Sequence, residues 1–225
     1  MSELLIKMNE LAREIADCKK CQLHLSRKCS VPGEGNIRTK ILFIGEGPGV
    51  NENDTGRPFV GQAGNFLNEL FDAAGVKRQD VFITNVVKCR PPSNRDPMPE
   101  ELEACAEYLN HQIEWINPLV IVTLGRFSMG KFFPNQRISA IHGKGQWVND
   151  RLIVPMFHPA AAQHQPSLRS SILHDFSLLP QYLMDAANKD KVEEMPVQPA
   201  PTVKENEEPI SQQPPADDTI QLSLF

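Results

Sequence analysis

Four of the five cysteines have a spacing that could hold a metal centre. Cys18 and Cys21 form a CxxC pair, and Cys89 and Cys105 follow further along the chain with fifteen residues between them. Thiolates that a fold brings together bind zinc or an iron–sulfur cluster, and four thiolates alone do not separate the two. The alternative is a set of small core residues without a metal. Cys29 does not fit the pattern, and we treat it as incidental.

A glycine-rich turn that contains one acid follows a short apolar segment. The segment 40–45 runs into Gly45-Glu46-Gly47-Pro48-Gly49. Glycines permit positive φ angles and let a ligand approach the backbone closely. A tight strand exit could use the same residues, but an acid at this point can hold a water molecule or a cation. We therefore take Glu46 as a candidate catalytic residue.

Three further residues could contribute to a binding pocket. Phe59 lies on the glycine-flanked loop 56–61, where an aromatic ring can stack on a planar base. Asn85 ends a second apolar segment, and its amide offers a donor and an acceptor side by side. His158 precedes a proline, which favours an extended backbone. Each also has an ordinary structural alternative, as an outlying core residue, a turn residue or a structural histidine, so the hypothesis depends on their convergence.

The elements that must position these residues alternate along the chain. Continuous apolar segments predict strands at 40–45, 81–86, 119–124 and 152–156. Helical spacing of apolar residues predicts helices at about 4–15, 66–74, 100–116 and 172–183. This alternation predicts an open parallel α/β sheet, whose ligands bind beyond the carboxyl ends of the strands. Glu46, Phe59, Asn85 and His158 all fall at that edge.

Composition divides the chain into a neutral body and an acidic tail. The chain has 225 residues and a net charge of −5. Eight of the 28 acidic and three of the 23 basic residues follow residue 187, so the body carries 20 of each sign and does not by itself indicate nucleic-acid binding. Residues 188–225 contain six prolines and no glycine, which predicts a disordered tail. Without a membrane-length apolar run or a basic N-terminal region, we expect a cytoplasmic protein.

Five segments together resemble the thermophile-type, iron–sulfur uracil-DNA glycosylases, family four of that superfamily. They occur in the family's order over about residues 10–185, and they are Cys-Lys-Lys-Cys-Gln-Leu, Ile-Gly-Glu-Gly-Pro-Gly, Gly-Arg-Pro-Phe-Val-Gly-Gln-Ala-Gly, Thr-Asn-Val-Val-Lys-Cys-Arg-Pro-Pro and Phe-His-Pro-Ala-Ala. The resemblance implies a three-layer α/β/α fold with a central four-stranded parallel sheet, and a glycosylase domain over residues 1–187. It also implies a [4Fe–4S] cluster on Cys18, Cys21, Cys89 and Cys105.

The resemblance further implies a DNA-repair enzyme that flips uracil out of DNA and hydrolyses its N-glycosidic bond, leaving an abasic site. Gly45 and Phe59 would bind the base, with the Phe59 ring stacked on it, and Asn85 would read its polar edge. Glu46 would lie in the water-activating motif. His158 would bind the base and hydrogen-bond its O2 as negative charge develops there.

Several positions leave questions open. The segment 159–169 would press into the duplex and hold the base out. Gly47 stands where the family more often has alanine, and Asn53 where an acid commonly occurs, so we expect both near the water site.

His142 lies where a related group carries a histidine that crosslinks to the abasic sugar, but that group's longer basic insertion is absent. We favour a structural or DNA-contacting His142. A non-turnover uracil-DNA-binding or crosslinking protein is the alternative function, and a redox or zinc protein is a third.

The last five residues resemble the peptide with which bacterial replication and repair proteins bind the sliding clamp. They are Gln221-Leu222-Ser223-Leu224-Phe225. Leu224 and Phe225 would fill an apolar pocket, Leu222 would add contact and Gln221 would hydrogen-bond at the rim. An accidental hydrophobic end on the tail is the alternative. We therefore expect a monomer that acts on uracil-containing DNA in the nucleoid and binds the clamp through this motif.

Overall fold

The computed structural model of the protein describes residues 2–193, in which six strands form one sheet. The strands are β1 (Glu34–Gly35), β2 (Ile41–Gly45), β3 (Phe82–Asn85), β4 (Val120–Leu124), β5 (Gln146–Val148) and β6 (Arg151–Met156). The α-helices in this part of the chain are α1 (Glu3–Asp17), α2 (Val50–Thr55), α3 (Gln62–Ala73), α4 (Pro99–Ile116), α5 (Arg126–Gly130), α6 (Ile138–Ile141), α7 (Ala161–His164), α8 (Leu168–Ser177) and α9 (Leu179–Glu193). Across the sheet the order is β1-β3-β2-β4-β6-β5.

The four central strands are the predicted ones, and they are parallel. β2 lies between β3 and β4, and β6 follows β4. The register pairs Gly45 with Asn85 and Leu124 with Met156, so the carboxyl ends of these strands meet at one edge. The predicted parallel α/β sheet is therefore confirmed.

The complete sheet has six strands, so the prediction of four was wrong in number. β1 pairs antiparallel with β3, and β5 pairs antiparallel with β6. These edge strands contain only two and three residues, and neither is a buried apolar run. Strands this short have no periodicity that a sequence pattern could reveal.

Successive strand residues point to opposite sides of the sheet, and in this sheet both sides are apolar, so helices cover both faces. On β2, Ile41 and Phe43 pack in an apolar cluster with α3, α8 and α9. Leu42 and Ile44 pack on the other face with α4, α5 and α6. This arrangement confirms the three-layer α/β/α fold.

The C-terminal region contains two helices where one was predicted. α8 ends at Ser177, and α9 begins at Leu179 and continues past residue 187 to Glu193. The remainder of the predicted tail, with the clamp-binding residues 221–225, lies outside the described residues. Within residues 2–193, none of the helices combines the length and the apolar character that crossing a membrane requires.

Candidate active site and cysteine cluster

The four residues predicted to form a site line one cleft at the carboxyl edge of the sheet. The cleft has a volume of about 630 Å³, and Glu46, Phe59, Asn85 and His158 all form part of its wall. β2 leads into Glu46, β3 ends at Asn85, and β6 leads through residue 157 into His158. Residues far apart in the sequence meet because their parallel strands end at the same edge.

Gly45 lies between two of these side chains. A β-carbon at this position would lie 2.7 Å from Phe59 Cζ and would overlap Asn85 Oδ1. Any larger residue would push the aromatic ring and the amide away from this end of β2. The absence of a side chain at Gly45 therefore lets the ring and the amide lie close together.

Glu52, which the sequence patterns did not indicate as functional, connects the loops around the cleft. Its carboxylate accepts hydrogen bonds from the backbone N–H of Gly49 at 3.1 Å and from those of Val60 and Gly61 at 2.9 Å each. One side chain thus joins the start of α2 to the loop that carries Phe59. The spacing of Gly49 and Glu52 is typical of a capping box and could have indicated the first contact. The other two contacts have no sequence signature.

The two departures from the family pattern lie in different places. Gly47 lines the cleft, and a β-carbon there would lie 2.8 Å from Val87 Cγ2. Asn53 is a buried residue of α2 itself, where its Oδ1 accepts a hydrogen bond from the backbone N–H of Lys28 and its carbonyl oxygen accepts one from the backbone N–H of Cys29. Of the two, Gly47 therefore contributes to the cleft wall and Asn53 holds the neighbouring segment.

Phe59 has a backbone conformation that is unusual for a bulky residue. Its φ of 51° lies in the left-handed region, which large L-residues rarely adopt. A β-carbon at Gly64 on α3 would overlap the Phe59 carbonyl group, so glycine is required there. The Phe59 ring lies 5.5 Å from the His158 ring, measured between centroids. This conformation places the aromatic ring beside the imidazole in the cleft.

The surroundings of His158 favour a neutral imidazole with a defined tautomer. The backbone N–H of Ala160 donates to its Nδ1 at 3.1 Å, so the ring proton lies on Nε2. Burial lowers the pKa of His158 to about 4, although the nearby carboxylate of Glu52 opposes this shift. At neutral pH the ring can therefore donate a hydrogen bond from Nε2 without carrying a charge.

Glu46 is half-buried, and its surroundings favour proton acceptance. Burial raises the pKa of the Glu46 carboxyl, the Asp96 carboxylate raises it further, and the Arg126 guanidinium lowers it. Asp96 and Arg126 form an ion pair with each other. A carboxylate with a raised pKa takes a proton from water more readily than an exposed one, so this position suits a general base.

The four cysteines predicted to be ligands surround one small cavity. Cys18 and Cys21 follow α1, Cys89 lies after β3, Cys105 lies on α4, and all four line the cavity. Among residues 2–193, no three His, Cys, Asp or Glu side chains are arranged to hold a single metal ion. The thiols therefore surround a space and do not converge on one point.

Nitrogen donors face three of these sulfurs, and one of them is the backbone N–H of Lys20, which donates to Cys18 Sγ at 3.5 Å. The backbone N–H of Lys88 donates to Cys105 Sγ at 3.2 Å, and Arg27 Nη1 donates to Cys89 Sγ at 3.3 Å. Burial raises the pKa of Cys105 to about 11 and also raises the pKa of Cys89, which Arg27 opposes. Cys29 does not line this cavity. N–H donors of this kind stabilise metal-bound thiolates.

His142 lies outside the cleft wall. Its Nδ1 is 2.7 Å from Oδ2 of Asp175, a buried carboxylate on α8, and its ring packs against Phe157 with centroids 4.4 Å apart. These contacts support the structural interpretation of His142.

The segment 159–169, expected to press into DNA, forms one side of the mouth of the cleft. Ala160, Gln163 and His164 line the cleft, and α7 occupies this segment. At its far end, the Arg169 guanidinium lies 4.3 Å above the centre of the Phe66 ring on α3. The segment is therefore anchored to the body at its far end.

The fold and the cleft together define an α/β protein in which an aromatic ring, an amide, a neutral imidazole and a carboxylate line one cleft at the carboxyl edge of the sheet. Residues 32–177 match the family model of the uracil DNA glycosylase superfamily. The match covers more than half of the chain, and the chain belongs to this superfamily.

Type-4 uracil-DNA glycosylases from several organisms are similar to most of this chain. The type-4 uracil-DNA glycosylase of Archaeoglobus fulgidus is 45% identical over 179 residues, which cover 75% of this chain and 89% of that protein. The type-4 enzyme of Thermotoga maritima is 46% identical over 173 residues, which cover 75% and 90%. A type-5 uracil-DNA glycosylase of Thermus thermophilus is 38% identical over 114 residues, which cover 44% and 52%. The similarity to these type-4 proteins thus extends over more of the chain.

Proposed function

We propose that this protein removes uracil from DNA by hydrolysing the N-glycosidic bond, a step of base excision repair that leaves an abasic site. The observation that carries this proposal is the convergence of Glu46, Phe59, Asn85 and His158 in one cleft, in a chain of the uracil DNA glycosylase superfamily. All four residues come from one chain, which supports a monomer as the active unit. The proposed substrate is uracil-containing DNA, and the proposal includes association with the nucleoid.

The cleft can recognise uracil only after the base has left the duplex. We assign the Phe59 ring to stacking on the extruded base. The Asn85 amide presents a donor and an acceptor side by side, which matches the O4 and N3–H groups of uracil. Cytosine has an amino donor in place of O4, so the same amide discriminates against it. The segment 159–169 at the mouth would occupy the space that the base vacates.

Bond cleavage leaves an oxocarbenium-like sugar and an anionic uracil, so stabilising that anion lowers the barrier. His158 is suited to this role because its Nε2–H can donate to the uracil O2 as charge develops. One donor of this kind contributes roughly 10²–10³ in rate. Glu46 would accept a proton from the water that attacks the sugar, and its raised pKa suits that acceptance.

The pH dependence of excision is expected to follow Glu46. A general base acts in its ionised form, so the rate should fall as the pH drops through the raised pKa of Glu46. Asp96→Asn lowers this pKa and should extend activity to lower pH. Arg126→Gln raises it and should move the loss of activity to higher pH. Single-turnover rates from acidic to neutral pH measure both shifts, and superimposable profiles would exclude Glu46 as the titrating base.

The proposal assigns a [4Fe–4S] cluster to Cys18, Cys21, Cys89 and Cys105. The four thiols line one small cavity, and four thiolates suit zinc as well as a cluster, so the choice of a cluster rests on the resemblance to the iron–sulfur uracil-DNA glycosylases. Bound iron would link α1, the segment after β3 and α4 through iron–thiolate bonds. The hydrolysis itself requires only the residues of the cleft.

A gel assay with an oligonucleotide that contains one uracil tests the proposed activity. We expect abasic product in excess over enzyme, and no protein–DNA adduct that survives denaturation. An adduct that disappears in His142→Ala would identify a crosslinking protein instead. Tight binding without product would identify a non-catalytic uracil-DNA-binding protein. The contacts of His142 with Asp175 and Phe157, away from the cleft, favour turnover.

We also propose that residues 221–225 bind the bacterial sliding clamp. These residues lie outside the described part of the chain, so the support comes from the sequence QLSLF alone. Residues 194–220 would connect the motif to the end of α9 at Glu193. A flexible chain of this length, as the composition predicts for these 27 residues, would span about 30 Å and would raise the effective concentration of the enzyme near the clamp.

A peptide of residues 215–225 is expected to bind a bacterial clamp with roughly micromolar affinity, the range of short-motif anchors. Replacing Leu224 and Phe225 together with alanine should abolish binding, because these side chains fill the pocket. Calorimetric titration measures both affinities. Deletion of residues 194–225 should leave excision from short oligonucleotides unchanged. Clamp binding by a chain that lacks the last five residues would show that the contact lies elsewhere.

A further inference from the structure

The strained backbone of Phe59 must be held by its surroundings. Its φ of 51° is rare for an aromatic residue, and such a conformation persists only where neighbouring groups impose it. Glu52 holds the amide side of the loop, because it accepts hydrogen bonds from Val60 and Gly61. Glu52 binds backbone N–H groups of this loop, so the carbonyl groups of Pro58 and Phe59 need a different hydrogen-bond partner.

Arg78 binds the carbonyl side of the same loop. Its Nη2 donates to the carbonyl oxygen of Pro58 at 2.6 Å, and its Nη1 donates to that of Phe59 at 3.3 Å. Nη1 also donates to Asn68 Oδ1 on α3 at 3.2 Å. A guanidinium is planar and stays charged, so its donors fix consecutive carbonyl groups in one relative orientation. Arg78 and Glu52 thus hold the loop from opposite sides.

Arg78 also links two parts of the base-binding site. It begins the 3-10 turn Arg78–Asp80, which leads into β3, and the last residue of β3 is Asn85. One side chain therefore joins the loop with the stacking ring to the strand with the reading amide. We propose that Arg78 is a positioning residue that orients Phe59 for stacking on the extruded uracil. This inference rests on the proposed function of the cleft.

Arg57 provides a matched control because it shares an ion-pair partner with Arg78. Glu34 accepts from Arg57 Nε at 2.7 Å and Nη2 at 3.1 Å, and from Arg78 Nη2 at 3.2 Å. Within the described residues, the Arg57 guanidinium makes no hydrogen bond to a backbone carbonyl of this loop. If Arg78 were only half of a surface ion pair, Arg57→Met and Arg78→Met would have similarly small effects.

The test compares steady-state excision of uracil from an oligonucleotide, and inhibition by free uracil, in Arg78→Met, Arg78→Lys and Arg57→Met. We expect Arg78→Met to lower kcat/KM about tenfold, the scale of a lost hydrogen bond to a charged group. Inhibition by free uracil should weaken by a similar factor, because the ring no longer stacks. Arg78→Lys keeps the charge and part of the donor set, so it should recover part of both losses. Arg57→Met should retain wild-type values.

A double variant separates positioning from general stability. If Arg78 acts through Phe59, Arg78→Met should cause no further loss in a Phe59→Ala background. Additive losses would overturn the positioning role even where uracil excision is confirmed. Wild-type inhibition by uracil in Arg78→Met, or equal losses in Arg57→Met, would overturn it as well. Wild-type excision by Phe59→Ala would overturn the stacking role itself, and a wild-type protein that releases no uracil would overturn both proposals.

Discussion

Replacing His158 with alanine is expected to lower the rate of uracil excision by roughly 10²–10³, the effect of removing one donor to a developing anion. The structure supports this magnitude because the donor is fixed before the substrate arrives. The backbone N–H of Ala160 donates to Nδ1 of His158, so Nε2 carries the ring proton. The pKa of His158, lowered to about 4, keeps the ring neutral. A neutral donor at the uracil O2 gains strength as the base becomes anionic, and the alanine variant cannot replace it.

Single-turnover excision from a uracil-containing oligonucleotide measures this loss, and His142→Ala is the matched control. His142 is also a partly exposed histidine near β6, but it contacts Asp175 and lies outside the cleft wall. We expect it to retain most of the rate. Binding of the oligonucleotide should change little in His158→Ala, since the lost contact strengthens only during bond cleavage. A wild-type rate in His158→Ala would show that the anion is stabilised by another group.

The convergence of the cleft residues could be predicted from the sequence because strands carry a strong signal. The central strands are short and mainly apolar, as in the fully buried Ile41–Gly45, and such runs indicate strands of a parallel sheet. Glu46 and Asn85 lie at the ends of two such runs, and His158 lies just beyond a third. Parallel strands align their carboxyl ends, so these three residues could be placed at one edge of the sheet without any knowledge of side-chain contacts.

The geometry within the cleft could not be predicted in this way. The tautomer of His158 depends on the backbone N–H of Ala160, and the loop around Phe59 depends on Glu52 and Arg78. No regular residue spacing in the sequence indicates these contacts. The positive φ of Phe59 is also a backbone conformation that aromatic residues rarely adopt. Predictions from local sequence preferences fail most often where a functional site imposes strain on the backbone, and Phe59 lies in such a place.

The second large effect is expected at the cysteine cluster, where Cys89→Ala should remove bound iron and much of the thermal stability. Cys89 is buried, lines the cavity with the other three predicted ligands, and accepts a hydrogen bond from Arg27. A metal site that ties separate segments together contributes its binding free energy to folding, so losing one of four ligands weakens both. Iron analysis, visible absorbance and thermal unfolding measure the two losses.

Excision should also fall in Cys89→Ala, because the residue before it hydrogen-bonds to the backbone of Asn85, which lines the cleft. The buried amine of Lys88 donates to the carbonyl oxygen of Asn85 at 2.8 Å, so disorder at residue 89 is expected to disturb the reading amide. Cys29→Ala is the matched control, because Cys29 lies outside the cavity. This variant should retain the iron content, the thermal stability and the excision rate of the wild type. A colourless wild-type protein that carries stoichiometric zinc would contradict the cluster assignment. Full iron content in Cys89→Ala would remove this residue from the ligand set.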